Sequence, residues 1–380
     1  MLWFILTFFL IYSLMHFYIF YTKISPLISE KKLKKILFVV ILILISSPIF
    51  LRYADKYASS QVSYLVALFV LFWMGILIYL VFFSLIWDAF KWFIKKIFNC
   101  HFSKNKEIFF LSFLSLGFSI YSYLETKNLE LIHIKIRSCK LPKSIKKIKI
   151  LQISDLHLGP LMGMDKINLV KEVWEKEKPD LVVSTGDLVD GNMRKRDEFA
   201  EKLKELKAPL GKYAILGNHE YYRGWKQAID FTQKAGFKLL RDEVINVENI
   251  LYIVGIDDKT CKYFNACDPN FDEVRFLREI PKDKFILLLK HQPEIKKEAI
   301  GLFDIMLSGH THGGLYKPLG AFIMKKIYET DRGLKYLGKG SYLFVSKGVG
   351  TGGPPMRFLT PPDVAIIELI NCKNYENKVE

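Results

Sequence analysis

Cysteine is scarce, five in 380 residues, and the 23 glycines follow no period, which excludes a disulfide-stapled miniprotein and a collagen-like rod. Acidic charge is also short, with 39 Asp and Glu against 55 Lys and Arg and a net charge of +16. Charge of either sign is nearly missing from the first third: residues 1–126 hold 12 Lys and Arg and 5 Asp and Glu, leaving 43 and 34 for the remainder. Hydrophobic residues at 51 % exclude disorder, whereas 25 % charged residues are too many for a membrane bundle alone. The chain reads as two unlike parts, a transmembrane region over 1–126 and a folded domain over 127–380.

Met1 to Thr22 and Tyr57 to Trp87 carry no charge, and each exceeds the roughly 20 residues that cross a ~30 Å hydrocarbon core. Sixteen uncharged residues separate Lys35 from Arg52, and 17 separate Glu107 from Glu125. These shorter runs reach across if the flanking Lys and Arg snorkel. The spacing predicts four helices. The first run lacks a basic leader and a small-residue cleavage site, so it reads as a retained helix and not a signal peptide. Lysines cluster between the first two helices (Lys23, Lys31, Lys32, Lys34, Lys35) and between the last two (Lys91, Lys95, Lys96, Lys104, Lys106). The positive-inside rule places those connections in the cytoplasm and the domain after the fourth helix outside it. Ile86 to Phe98, with lysines among aromatic residues, reads either as an interfacial helix or as the end of the third span. No basic groove module interleaved with aromatics is present, so nucleic acid is not an expected partner.

From about Ile132 the pattern turns to short β-like runs alternating with amphipathic segments. Ile148–Ile153, Asp180–Ser184, Lys212–Leu216, Ile250–Gly255, Lys284–Leu289 and Phe303–Leu307 read as strands. Met164–Lys178, Lys195–Lys207, Trp225–Ala235, Phe271–Glu279 and Pro293–Ala299 read as helices. The residues that follow the strands carry the chemistry: Ser154-Asp155-Leu156-His157, Thr185-Gly186-Asp187, Gly217-Asn218-His219-Glu220, Lys290-His291, and Ser308-Gly309-His310-Thr311-His312. In an open α/β sheet the carboxyl ends of strands meet at one crevice, so residues distant in sequence converge there. Five of the 8 histidines lie in these blocks; His16, His101 and His133 have no such setting and read as structural.

Asp155, His157, Asp187, Asn218, His291, His310 and His312 offer oxygen and imidazole donors without thiolate, a set suited to Mn, Fe or Zn. Seven donors exceed one tetrahedral ion and suit two ions ~3.5 to 4 Å apart, the arrangement that clamps both oxygens of an in-line phosphoryl transfer.

These blocks, in this order, resemble the calcineurin-like metallophosphoesterase superfamily over roughly residues 148–370. The resemblance implies a four-layer αββα sandwich of two mixed β-sheets. It implies Asp155, His157 and His312 on one metal, Asn218, His291 and His310 on the other, Asp187 bridging both, and His219 beside the leaving group, held by Asp187 or Asp190. The stretch Ser346-Lys-Gly-Val-Gly-Thr-Gly-Gly-Pro-Pro-Met-Arg357 further resembles a bacterial membrane-associated phosphodiesterase branch that includes a lipid-A-pathway UDP-2,3-diacylglucosamine pyrophosphatase. Leu315 departs from it, standing where that branch usually has Gln.

The expectation is a multi-pass, membrane-anchored phosphoesterase with an extracytoplasmic catalytic domain. It would cleave phosphodiester or pyrophosphate bonds of an envelope or lipid-linked substrate, with attack by a hydroxide shared between two divalent ions. The alternative is the same chemistry on a soluble nucleotide or a phosphoprotein. A dead scaffold is disfavoured because every expected ligand is present, and a transporter because His16 is the one residue of the Asp, Glu, Lys, Arg or His kind within the four uncharged runs. Asp257 and Asp258 read as solvated turn carboxylates more readily than as supports of the site. Arg357 reads equally as a phosphate contact or a structural ion pair. Cys261 with Cys267, Cys139 with Cys372, and free buried thiols all stay open.

Overall fold

Long uncharged runs leave the backbone one way to satisfy itself in a membrane, as helices. The computed structural model describes residues 2–98, 102–191 and 196–372. His101 and Lys195 lie outside the described residues. The chain divides into two compact units, Met1–Leu124 with Gly353–Met356, and Glu125–Gly352 with Arg357–Glu380.

The first unit contains α1 (Leu2–Ile19), prolonged by a π-turn over Phe20–Ile24, then α2 (Lys31–Tyr57), α3 (Ser60–Phe98) and α4 (Lys104–Glu125), whose last residue opens the second unit. All four are long and apolar enough to cross a membrane. Large side chains such as Trp3, Phe69, Phe109 and Phe113 point outward, as a helix packed against lipid requires. The short second and fourth runs become helices of 27 and 22 residues because the flanking charged residues continue them. Ile86 to Phe98 is the uninterrupted end of α3, not a separate interfacial helix. His16 is structural: Nδ1–H donates to Tyr12 O at 2.8 Å, and Nε2 accepts from Trp73 Nε1 at 3.0 Å.

The helices also hold charges that the uncharged runs did not foretell. Lys23 is buried and bonds to Asp88 and, at 2.7 Å, to Glu107. Lys91 reaches Asp88 at 3.0 Å and Glu107 at 2.8 Å, and Tyr18 OH donates to Asp88 at 2.6 Å. Two cations meet two anions, and the network ties α1, α3 and α4 together.

The second unit builds one sheet from β1 (Glu130–Ser138), β2 (Lys147–Ile153), β3 (Leu181–Ser184), β4 (Lys212–Ala214), β5 (Lys238–Leu239) and β12 (Asp363–Asn371), in the order β1-β12-β2-β3-β4-β5. The other contains β6 (Glu243–Val247), β7 (Leu251–Ile256), β8 (Phe285–Lys290), β9 (Ile305–Ser308), β10 (Gly333–Gly338) and β11 (Ser341–Val345), in the order β10-β11-β9-β8-β7-β6. Both are mixed: β12 runs antiparallel to β2, and β6 antiparallel to β7, while β2-β3-β4-β5 and β7-β8-β9-β11 are parallel.

Alternation sorts the side chains into layers. Ile148, Ile150, Val183, Ile253, Leu287, Leu307 and Ile367 fill the space between the sheets. Leu151, Ile153 and Val182 face α5 (Met164–Glu177), α6 (Arg196–Lys204) and, after the short α7 (Asn218–Arg223), α8 (Trp225–Lys234) through Ile167, Phe199 and Phe231. Val254, Leu288 and Met306 face Leu277 of α9 (Glu273–Glu279). The architecture is the αββα sandwich.

Pro293–Ala299 is not a helix but a single turn at Lys297–Ala299. Lys290 Nζ takes the Glu294 carbonyl that an α-helix would have given to an amide four residues on. Disulfides join Cys139 to Cys372, past the ends of the paired strands β1 and β12, and Cys261 to Cys267. His133 is an exposed strand residue 3.7 Å from Glu177.

Candidate metal centre

Parallel pairing brings the carboxyl ends of β2, β3 and β4 to one edge, and those of β7, β8 and β9 to one edge of the second sheet. The loops leaving β2 and β3 are laced together: Asp155 N donates to Gly186 O at 3.0 Å, and His157 N to Asp187 O at 2.9 Å. Asp155, His157, Asp187, His310 and His312 all adopt positive φ, between 50° and 71°, a conformation that non-glycine residues keep only where the surroundings dictate it. Two glycines leave room for the carboxylates. A Cβ on Gly309 would sit 2.1 Å from Asp155 Oδ2, and one on Gly217 would sit 2.2 Å from Asp187 Oδ1.

The side chains converge in two groups, Asp155 with His157 and His312, and Asp187 with His291 and His310, each offering donor atoms within 4.8 Å of one another, and a third set of the same reach, His157, Asp187 and His219, overlaps both. In the first, His157 Nε2 lies 3.1 Å from His312 Nε2, 3.8 Å from Asp155 Oδ1 and 3.7 Å from Asp187 Oδ2. In the second, His291 Nε2 lies 3.0 Å from Asn218 Oδ1 and 3.2 Å from Asp187 Oδ2. Asp187 faces both groups.

Supporting contacts aim these atoms. His291 Nδ1–H donates to Thr185 O at 2.8 Å, which turns Nε2 toward the cluster. His157 Nδ1 lies 3.4 Å from Asp190 Oδ2 and turns Nε2 inward in the same way. Ser154 Oγ donates to Asp155 Oδ2 at 2.5 Å, His310 N to both Asp155 oxygens at 3.1 Å, and His219 N to Asp187 Oδ1 at 2.9 Å. Glu220 accepts from Asp187 N, Gly217 N and Val189 N at 3.0, 2.8 and 3.1 Å, locking two of the loops together.

Electrostatics split the set: Asp187 stays ionised and His310 and His312 neutral, whereas Asp187 and Asp155 outweigh burial and hold His291 well above the usual imidazole range, so a cation binding there displaces its proton. Burial alone would raise the Asp187 carboxyl, but His291, His219 and His157 hold it well below the usual carboxylate range. Burial and the neighbouring His291 push His310 down to about 4, and burial with His157 and Arg357 keeps His312 low. Ionised carboxylates and neutral imidazoles with lone pairs facing one point are what a divalent cation requires. The residues present fit two such ions.

His219 differs from the others. Its Nδ1 pairs with Asp190 Oδ1 at 3.0 Å, and Arg223 Nε donates to that same oxygen at 2.8 Å. Burial opposes charge on His219, yet Asp190 and Asp187 outweigh it and push the imidazole up to about 9. Asp190, not the Asp187 carboxylate, is therefore the anchor of its ring.

Asp257 and Asp258 are buried, contrary to the expectation of solvated turn residues. Asp257 accepts from Tyr221 OH and Arg241 at 2.5 Å each. Asp258 accepts at 2.9 Å from Nε2 of Gln292, the residue after His291. Arg357 is neither a phosphate contact nor half of an ion pair. It is fully buried and donates to Lys347 O, Gly348 O and Gly350 O at 2.7, 2.9 and 2.6 Å, with its Nη2 3.1 Å from His312 Nδ1. Val349 N and Gly350 N donate in turn to Ser154 O and Asp155 O, so this glycine-rich loop backs the first group.

The profile of the calcineurin-like phosphoesterase family matches residues 148–314. A metallophosphoesterase of Aquifex aeolicus is 50 % identical over 257 residues, covering 68 % of this chain and 98 % of its own length. The chain belongs to the calcineurin-like metallophosphoesterases. A metallophosphoesterase of Campylobacter jejuni is 29 % identical over 372 residues, or 95 % of this chain and 96 % of that one. A Danio rerio protein described as a transmembrane protein with a metallophosphoesterase domain is 30 % identical over 254 residues, 63 % of this chain and 57 % of its own. The enzyme is thus a metal-dependent phosphoric ester hydrolase with apolar helices ahead of its catalytic domain.

Proposed function

We propose that the enzyme hydrolyses phosphodiester or pyrophosphate bonds of an envelope or lipid-linked substrate. The observation that carries the chemistry is the pair of carboxylate–imidazole groups that share Asp187. Asp155, His157 and His312 would hold one divalent ion and Asn218, His291 and His310 the other, with Asp187 between them. Bound Mn, Fe or Zn would supply Lewis acidity that acidifies water and neutralises phosphoryl oxygens.

The chain's own residues complete the site. His219, protonated at neutral pH, donates its Nε2 proton to the departing oxygen while Asp190 holds Nδ1. His219 and Arg223 together keep the Asp190 carboxylate ionised against burial, and Arg223 orients it. Asp187 acts twice, by facing both groups and by accepting the His219 amide. Metal content and turnover of bis-p-nitrophenyl phosphate against p-nitrophenyl phosphate, with Mn and with chelator, test this reading. Chelator-sensitive diester turnover supports it, and monoester-only turnover contradicts it.

The catalytic unit lies outside the cytoplasm in this proposal. The lysine-rich connections argue for that side, and two disulfides within the unit belong to an oxidising compartment. Protease added to intact cells should cleave the catalytic unit; protection until lysis would place it in the cytoplasm.

A further inference from the structure

The helix α10 (Leu319–Ile327) begins five residues after the last of the His310–His312–Gly314 loop and buries none of its residues. Its large apolar residues, Leu319, Phe322, Ile323 and Ile327, fall at i, i+3, i+4 and i+8, on one face, and are 60 %, 58 %, 44 % and 59 % exposed. Lys326 lies along that face with its Nζ 4.5 Å from the centre of the Phe322 ring, and Lys325 stands beside it. From Lys317 to Lys335 there are five basic residues and two acidic ones; Glu329 pairs with Lys335, and Asp331 with Arg332 and, at 3.7 Å, with Lys325. An apolar stripe flanked by net positive charge suits a surface that is oily inside and anionic at its rim.

Bonding within the catalytic unit shows which surface is near. Phe358 N donates to Leu315 O at 2.8 Å and Lys317 N to Phe358 O at 3.2 Å, so the segment leading into α10 is stitched to Phe358. The next residue, Leu359, is itself apolar and exposed, and its amide donates to Glu125 Oε2 at 2.8 Å. Glu125 follows the apolar run of α4 by one peptide bond, and consecutive Cα atoms are about 3.8 Å apart. The start of α10 is therefore laced to the residue at which the chain leaves the membrane.

The helix is also fixed to the metal centre at both ends. In its first turn, Gly320 packs on Gly314 so closely that a Cβ there would meet the Gly314 carbonyl oxygen at 1.7 Å. After it, the Tyr328 ring stands edge-on to His310 at 5.9 Å, and Tyr328 OH donates to Gln292 Oε1 at 3.2 Å.

We propose that α10, with Leu359, is a membrane-docking surface that lies in the headgroup–acyl boundary of an anionic leaflet and sets the metal centre against that leaflet. Docking rests on the apolar stripe, the lysines and the link to Glu125. Its consequence, that the centre works on phosphoesters carried by lipids, rests in addition on the catalytic reading above.

The test places the photocrosslinker p-benzoylphenylalanine at Phe322, at Ile327, or at the exposed Tyr263 as control, in the full-length chain in nanodiscs of phosphatidylglycerol and phosphatidylethanolamine. After irradiation, mass spectrometry reads lipid adducts, and bis-p-nitrophenyl phosphate turnover is measured on each sample. Lipid adduct several-fold higher at 322 and 327 than at 263 is the expected result. Equal adduct at all three positions, or adduct to a second protein chain at 322 and 327, overturns the docking surface. Adduct without diester turnover would uphold docking and overturn the catalytic reading instead.

Discussion

Each unit carries a cluster of buried and half-buried ionisable side chains, and the two are built in opposite ways. In the helices, Lys23 and Lys91 meet Asp88 and Glu107 one for one, and every member finds a partner of opposite sign within hydrogen-bond distance. In the α/β unit, Asp155, Asp187 and Asp190 stand among five histidines, and imidazole nitrogens approach one another and the carboxylates with lone pairs converging. The first cluster is complete without a ligand and acts as a lock between helices. The second, in the function proposed above, is completed by cations. Burial alone does not mark a functional site; what marks it is burial with the hydrogen bonds spent on aiming donors at a shared point.

That contrast yields an ordered set of outcomes. Asp187→Asn, which removes the shared carboxylate, should lower kcat on a diester by about 10²-fold or more and reduce bound metal, read by steady-state kinetics and elemental analysis. Full activity with full metal would break the distinction between the clusters. Glu107→Gln, in the helical lock, should leave kcat unchanged but cost on the order of 3 kcal/mol in stability, read as a lower unfolding midpoint in detergent. Asp190→Asn should lower turnover by about 10- to 100-fold with the fold intact, because His157 and His219 both lose the carboxylate that orients them. Circular dichroism matching the wild type would separate this from unfolding. Smallest of all, His133→Ala should change stability by no more than about 0.5 kcal/mol and activity not at all, since this histidine is exposed and 3.7 Å from its single acidic neighbour Glu177.

The site was more legible in the sequence than its supports. Asp155, Asp187, Asn218, His291 and His310 announce themselves because each ends or follows a strand whose apolar run is local, and parallel pairing then gathers them. Asp190 follows a loop and not a strand, so nothing local distinguishes it from a surface carboxylate. Its partners His157, His219 and Arg223 are all more than 28 residues away. Arg357 likewise looks like a phosphate contact beside glycines, whereas its bonds go to carbonyls of that same loop. The strands β1 and β12 pair in parallel across 233 residues, a partnership that no short pattern encodes. Among the helices, length and hydropathy were plain, but Lys23 was read as a connection residue because its acidic partners come from α3 and α4.

The central claim is that the α/β cluster holds two divalent ions. Elemental analysis of the full-length protein purified in detergent, after incubation with Mn, Fe or Zn and removal of free metal, tests it most directly. The account predicts about two ions per chain for the wild type and fewer for Asp187→Asn. A folded wild-type chain that retains none of the three metals would contradict it.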